Sequence, residues 1–174
     1  MGDIMNKKLI KTFIIMTILV LILGTLLHFT YEWSNNNSLV GIFSATNEST
    51  WEHLKLAFFP MLITGIISYF YIKDISNNFI EGLTVGILVS MLFIVVFFYG
   101  YQLILGSDYF LLDILDFIIG ICLGEFIFYT IVSMENYSSF YTRLICFTIL
   151  AILLVLFIVF TFYPPNYGIF VSPV

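Results

Sequence analysis

Charged residues are scarce in this chain: only 10% of its 174 residues are Asp, Glu, Lys or Arg, whereas 61% are hydrophobic. Soluble domains contain about 25% charged and about 45–50% apolar residues. The chain therefore has too little polar surface to cover its apolar side chains in water. This shortage of charge excludes an ordinary soluble domain and indicates a protein for which lipid is much of the solvent.

Basic residues and cysteines are also few. The six Lys and Arg residues are scattered and the formal net charge is −5, which excludes a nucleic-acid-binding surface, because that requires clustered positive charge. Cys122 and Cys146 lie inside apolar runs without a CxxC partner, so they are interpreted as small buried hydrophobic residues. Repeats, low-complexity segments and linkers are absent from the sequence, and we predict a single transmembrane domain over residues 1–174.

Five apolar runs are each close to the length of about 20 residues that a helix needs to cross a bilayer. They cover residues 9–29, 51–72, 79–99, 111–133 and 141–163. Backbone groups in hydrocarbon must be satisfied within their own segment, so each run is predicted to be helical. The expected fold is all-α, an integral membrane bundle of five transmembrane helices. The first run lacks a small-x-small cleavage site and is interpreted as an uncleaved span.

The basic residues predict the orientation of this bundle. If the chain crosses five times, five of the six fall on one side: Lys7, Lys8, Lys11, Lys73 and Arg143. Lys55 alone falls on the other side. The positive-inside rule therefore places the N-terminus inside and the C-terminus outside.

Two pairs of glycines at a spacing of four occur in neighbouring runs, Gly82 with Gly86 and Gly120 with Gly124. Small residues at this spacing allow two helix backbones to approach closely. Because the third run enters from inside and the fourth from outside, Gly86 and Gly124 are expected at a similar depth. The pattern predicts a close antiparallel contact between these two helices.

The most polar stretch, residues 47–55, precedes and begins the second run and contains Glu48, Glu52, His53 and Lys55. Charge beside hydrocarbon is costly. One interpretation is structural: Ser49 and Glu52 fit the S-x-x-E capping box, and acids at a helix N-terminus suit the helix dipole.

Other ionisable residues are expected at the same outer level. His28 and Glu32 end the first run with i,i+4 spacing, which places them on one helix face, and Asp113 and Asp116 begin the fourth run. We predict that these groups and the 47–55 stretch form one outer pocket for a ligand or a proton: His28, Glu32, Glu48, Glu52, His53, Lys55, Asp113 and Asp116. Glu125, deeper in the fourth run, is a further candidate, because an ionised carboxylate exposed to lipid would cost about 3 kcal/mol.

A divalent metal ion is one ligand that this composition suits. Glu48 and Glu52 are four residues apart and would repel each other unless a cation or a proton lay between them. Carboxylates and imidazoles together bind zinc, manganese or ferrous iron, so Glu48, Glu52 and His53 are candidate metal ligands. HExxH and ExxH spacings are absent from the sequence, and proton coupling through His and carboxylates is left open as an alternative.

Three strings carry a resemblance: His28-Phe29-x-Tyr31-x-Trp33-Ser34, Leu39-Val40-Gly41-Ile42-Phe43-Ser44, and Asn47-Glu48-Ser49-x-Trp51-Glu52-His53-Leu54-Lys55 followed by Pro60. In these strings the chain resembles a family of small bacterial multi-pass membrane proteins of unknown function. The resemblance implies a bacterial plasma membrane and a shared motif on the extracytoplasmic side. It brings no known activity, cofactor or catalytic residue.

Three classes of function follow from these observations. We expect a site that binds a cation or a small polar ligand at the extracytoplasmic side. The alternatives are an intramembrane metal-dependent hydrolase and a non-catalytic accessory subunit whose polar loop docks onto a membrane-protein partner or a second copy of the chain. The lipid bilayer is the partner expected under all three.

Overall fold

The computed structural model describes residues 2–135 and 138–172, with the side chains of residues 2–6 excepted. Within these ranges the chain is helical and contains no strand. The helices are α1 (Gly2–Trp33), α2 (Ser38–Gly41), α3 (Thr50–Ile72), α4 (Phe79–Leu105), α5 (Phe110–Ser133) and α6 (Phe140–Phe162). A short 3₁₀ helix, Gly168–Phe170, follows α6. Each of the five apolar runs therefore forms one of the five long helices.

Four of these helices are long and apolar enough to cross a membrane: Lys7–Trp33 within α1, α3, α4 and α6. The helix α5 has a comparable length of 24 residues but is not among the four. It contains three acidic residues, Asp113, Asp116 and Glu125. The architecture is thus all-helical with four candidate membrane spans, and the fifth span and the orientation stay predictions.

The helix ends follow from local residue types. Asn35 and Asn36, just after α1, adopt left-handed φ angles of 58° and 59°, a conformation that asparagine tolerates better than most residues. The helix α3 begins after Ser49, whose hydroxyl accepts a hydrogen bond from the Glu52 backbone N–H at 3.4 Å. Gly106, with φ 77°, ends α4 in the left-handed conformation typical of a C-terminal cap.

The helices α4 and α5 are in backbone contact at the paired glycines. A Cβ added at Gly86 would lie 2.7 Å from the Gly124 carbonyl oxygen, and one at Gly124 would lie 2.6 Å from the Gly86 carbonyl oxygen. Phe79 and Phe128 pack edge to face at 5.2 Å where α4 begins. The predicted close antiparallel contact between these two helices is therefore confirmed.

A second close approach joins α1 to α3. Pro60 lies inside α3 and has no N–H, so the Leu56 carbonyl four residues earlier lacks its helical donor. A Cβ added at Gly24 of α1 would lie 2.5 Å from this Leu56 oxygen and 2.5 Å from the Phe117 ring of α5. Gly24 therefore lets α1 pack directly on α3 and α5, one helical turn before His28.

Candidate functional site

The first cluster, where α1 ends and α3 begins, is a buried ion pair between Lys55 and Glu52. The side chains are 0% and 2% exposed, and Lys55 Nζ lies 2.6 Å from Glu52 Oε2. Lys55 Nζ also donates to the Gly41 carbonyl oxygen at 2.8 Å and to Thr161 Oγ1 at 2.9 Å. All three ammonium donors therefore have an acceptor, as a buried charge requires.

Both oxygens of the Glu52 carboxylate also lie beside polar groups of the protein. Its Oε2 accepts from the Thr46 N–H at 2.8 Å and from Thr46 Oγ1 at 2.7 Å, in addition to the contact with Lys55. Its Oε1 lies 3.2 Å from Thr161 Oγ1. The pair joins the α1–α3 loop, the start of α3 and the end of α6. Because its bonding groups are used internally, this cluster acts as a structural clamp and leaves no room for an external ligand.

The second cluster, which we call the imidazole cluster, consists of His28, Glu48 and His53. Each offers one ligand atom, and these three atoms all lie within 4.8 Å of one another. His53 Nε2 is 3.4 Å from Glu48 Oε2, and the two imidazole rings are 5.1 Å apart between centroids. His28 comes from the last turns of α1, while Glu48 and His53 flank the start of α3. A group of two imidazoles and one carboxylate has the composition of a metal site.

A contact with the backbone determines the tautomer of the neutral His53 ring. His53 Nδ1 lies 3.0 Å from the Ser49 carbonyl oxygen, and because a carbonyl only accepts, Nδ1 must carry the hydrogen. In the neutral ring, Nε2 then presents a lone pair to the Glu48 carboxylate. Two lone pairs at this distance repel unless a cation lies between them. Such a carbonyl partner on the other ring nitrogen is also the usual support of a metal-binding histidine.

His28 has an unusual environment for a partly buried imidazole. Its Nδ1 atom is buried and has no hydrogen-bond partner among the described residues. Buried polar atoms are normally bonded, and an exception needs a reason such as an ion or a water. Glu32, one turn further along α1, is exposed, and it is not one of the three residues whose ligand atoms converge.

The other predicted site residues lie on α5, where they are associated with α4. Asp113 accepts a hydrogen bond from the Tyr101 hydroxyl of α4. Asp116 is 3% exposed, and its Oδ1 atom has no hydrogen-bond partner in the described part of the chain. Gly120, one turn further, packs on Ile94 of α4, which puts Asp116 on the α4 side of the helix. Neither aspartate is among the three residues whose ligand atoms converge within 4.8 Å.

Glu125 lies deep in the helix bundle. It is 2% exposed, and its Oε2 atom is buried without a hydrogen-bond partner within residues 2–135 and 138–172. Ser90 Oγ on α4 is unpartnered in the same sense, and the Ser90 side chain packs at Gly124, next to Glu125 in sequence. Glu125 therefore belongs to the α4–α5 core and is not one of the three residues whose ligand atoms converge.

Sequence reasoning missed the residues that complete the ion pair. Thr46, Thr161 and the Gly41 carbonyl provide most of its hydrogen bonds. A threonine in an apolar helix normally bonds its own backbone, as Thr161 also does with the Phe157 carbonyl at 2.8 Å. The i,i+3 spacing of Glu52 and Lys55 in the sequence indicates that they can pair. No sequence pattern indicates that Thr161 of α6 joins them.

Comparison with known proteins adds one finding. No curated protein and no solved structure shows a significant match to the chain. The model of one family, described as a family of unknown function (DUF6512), matches residues 2–174. The chain therefore belongs to the DUF6512 family of unknown function.

Proposed function

We propose that this protein is a five-span membrane protein that binds a divalent transition-metal cation, zinc above all, at its outer end. The proposed ligands are His28, Glu48 and His53. The observation that carries the proposal is the convergence of their three ligand atoms within 4.8 Å. Glu52, which the sequence pattern grouped with these ligands, is left out because its oxygens are bonded to Thr46, Thr161 and Lys55.

The spacing of the ligand atoms supports zinc. Zn–N and Zn–O bonds are about 2.0–2.2 Å long, so two ligands at a tetrahedral angle are about 3.3–3.6 Å apart. The separation of 3.4 Å between His53 Nε2 and Glu48 Oε2 falls in this range. Small rotations of the His28 and Glu48 side chains would bring the third atom to the same distance, since the Glu48 side chain is 70% exposed.

The charge balance favours a metal ion over a shared proton. A proton on His53 Nε2 would satisfy Glu48, but it would place a charged imidazolium beside the His28 ring, whose centroid is 5.1 Å away. One divalent cation would accept lone pairs from both imidazoles and from the carboxylate together. Two neutral histidines and one carboxylate with Zn²⁺ give a net charge of +1, with a fourth position for water.

The Lys55–Glu52 pair supports the site as its scaffold. It ties the first two turns of α3 to the Gly41 carbonyl oxygen at the end of α2 and to Thr161 at the end of α6. His53 lies between the two charged residues in sequence, so its backbone position is set by this clamp. Ligands held by a rigid frame bind a metal with little loss of conformational entropy.

A five-span bundle is supported by the length of the α4–α5 contact. Tyr101 near the end of α4 bonds to Asp113 at the start of α5, and Phe79 at the start of α4 packs on Phe128 near the end of α5. The helix α5 therefore returns over the same depth that α4 covers. If α4 crosses the bilayer, α5 must cross it too, with its acidic residues covered by the neighbouring helices.

A metal-dependent hydrolase is a second candidate, favoured by the ligand set itself. Two imidazoles and one carboxylate leave a coordination position open, which is typical of catalytic zinc, where a bound water is the nucleophile. The cluster is also partly exposed, so a substrate could reach it. Zinc binding is the common requirement of both candidates, and it is the property to test first.

The deciding experiment measures zinc bound to the purified full-length protein in detergent by elemental analysis and by competition with a fluorescent chelator. We expect one zinc per chain in the wild type and loss of high-affinity binding in His28→Ala, His53→Ala and Glu48→Gln. Asp108→Asn is the matched control, since Asp108 is an exposed acid outside the cluster. Absence of zinc from a folded wild type, or equal binding by His53→Ala, would refute the proposal.

A further inference from the structure

A groove with a volume of ≈ 630 Å³ lies on the other half of the molecule, between α3, α4 and α6. Its walls are apolar side chains, among them Leu62 and Tyr69 of α3, and Phe147 and Leu154 of α6. Leu83 of α4 forms part of its floor, and this residue also fills the space above Gly65 of α3. The groove is distinct from the imidazole cluster. The groove lies along the C-terminal half of α3, whereas the cluster lies where α1 ends and α3 begins.

The groove exists because α3 and α6 touch at only one end. Phe157 packs against Phe58 and Phe59 at centroid distances of 5.0 and 6.0 Å, and Thr161 bonds to Lys55. Beyond Phe157 towards the start of α6, the two helices are separated by the groove. Only Cys146, Leu150 and Phe157 of α6 are buried, so in a membrane this wedge would be filled by lipid.

The length of the groove matches one leaflet of a bilayer. On α3 its lining extends from Leu62 to Lys73, and on α6 from Leu154 back to Arg143. Each wall therefore spans 12 residues, whose 11 steps cover about 16–17 Å at about 1.5 Å per step. Half of a hydrocarbon core of about 30 Å is nearly the same length, so one acyl chain would fill the groove from headgroup to midplane.

Two basic residues lie at the headgroup end of this groove. Lys73 follows α3 and Arg143 is in the first turn of α6, and both contribute to the lining. Neither forms a salt bridge with a carboxylate in residues 2–135 and 138–172. The nearby Glu81 is not part of the lining, and its Oε1 accepts from Ser138 and Thr142 at 2.7 and 3.0 Å. An apolar groove with two cations at one end is complementary to an anionic lipid.

We propose that this groove binds one anionic phospholipid, with an acyl chain between α3 and α6 and the phosphate at Lys73 and Arg143. The Arg143 guanidinium and the Lys73 ammonium can donate charge-assisted hydrogen bonds to phosphate oxygens, and such bonds are stronger than those from neutral donors. Basic pockets between transmembrane helices are a common mode of such recognition. The proposal depends on membrane insertion but not on the metal site, so either can fail without the other.

The test is native mass spectrometry of the full-length protein in detergent with added phosphatidylglycerol or phosphatidylcholine. We expect a clear preference for phosphatidylglycerol that falls by about fivefold for each charge removed in Lys73→Gln and Arg143→Gln. The matched control, Lys8→Gln with Lys11→Gln, removes two charges that the sequence assigns to the same side but that lie outside the groove. Equal loss in the control pair would show a general surface effect and overturn the proposal.

A second pair of variants tests the acyl chain separately from the charge. Ala151→Trp adds bulk inside the groove, whereas Ile152→Trp adds the same bulk at a residue that is 52% exposed and outside the lining. We expect only Ala151→Trp to abolish the bound lipid, with helicity by circular dichroism unchanged in both. Lipid that stayed bound to Ala151→Trp would show that the groove is not a lipid site. The same conclusion would follow if glycerol 3-phosphate competed as well as the lipid, or if Ala151→Trp abolished a dimer instead.

Discussion

The Lys55 ammonium lies 2.6 Å from the Glu52 carboxylate in the protein interior, and Thr46, Thr161 and the Gly41 carbonyl provide further hydrogen bonds to the two charges. Two groups that the sequence suggests as ligands are thereby used to hold three segments together. Their neighbours Glu48 and His53 remain at the surface beside His28. The same nine-residue stretch thus provides a structural clamp and a candidate metal site.

Breaking this ion pair is expected to destabilise the protein strongly. Lys55→Met or Glu52→Gln alone should lower the free energy of unfolding by about 3–5 kcal/mol, because each leaves an unpaired buried charge or a set of unused donors. The double variant should cost less than the sum of the two single variants. Thermal unfolding in detergent followed by circular dichroism measures this, and Glu48→Gln, with a side chain that is 70% exposed, should change stability by less than about 0.5 kcal/mol. Additive losses would argue against a coupled pair.

Zinc binding should depend on pH with a defined sign. Imidazole binds metal only in its neutral form, and its ordinary pKa is about 6.5. Affinity is therefore expected to be higher at about pH 7.5 than at about pH 5.5, because protons compete with the metal for imidazole lone pairs. Chelator competition at the two pH values measures the change, and Glu48→Gln should weaken binding at both. A pH-independent affinity would be inconsistent with histidine ligands.

The glycine contact between α4 and α5 predicts opposite effects at two glycines of the same helix. Gly86→Ala places a methyl group 2.7 Å from the Gly124 carbonyl oxygen and should destabilise the bundle, whereas Gly100 has nothing within 4 Å of an added Cβ. Gly100→Ala should be neutral or stabilise by about 0.5–1 kcal/mol, because alanine loses less entropy in a helix. Comparison of the two melting temperatures tests this, and equal shifts would contradict the packing.

A similar comparison on α1 tests its contact with α3. Gly24→Leu would force side-chain atoms into the Leu56 carbonyl and the Phe117 ring, both 2.5 Å from the added Cβ. Thr25→Leu, at the next and exposed position, has room for the same side chain. We expect lower melting temperature and weaker zinc binding for Gly24→Leu only, since His28 is one turn away. A Gly24→Leu variant that behaved like Thr25→Leu would exclude this close approach.

The number of spans can be tested with single cysteines in a chain whose Cys122 and Cys146 are replaced by serine. Five spans predict that Asn36→Cys and Asn166→Cys react with an impermeant maleimide from outside, and that Asp74→Cys does not. If α5 did not cross, position 166 would instead be protected together with position 74. All three native residues are exposed, so the labelling depends on the side of the membrane and not on burial.

The sequence by itself determined where the long helices lie in the chain and that their surroundings are apolar. Long apolar runs at low charge leave helix as the only way to satisfy the backbone in lipid, so the five runs and the start of α3 at Ser49 could be predicted. The paired glycines also predicted which two helices pack together. A glycine has no side chain to keep two helix backbones apart, and this property can be seen in the sequence itself.

Only the tertiary structure decided how the ionisable side chains are divided. Glu48 and Glu52 have the same charge and helical spacing, yet Glu52 is bonded to Thr161, 109 residues away, while Glu48 lies beside the two histidines. Such a choice depends on which helices meet and at what rotation, and no local pattern encodes it. The grouping of Asp113 with Tyr101 instead of His28 has the same cause, since the face that α5 turns to α4 is set by packing at the glycines.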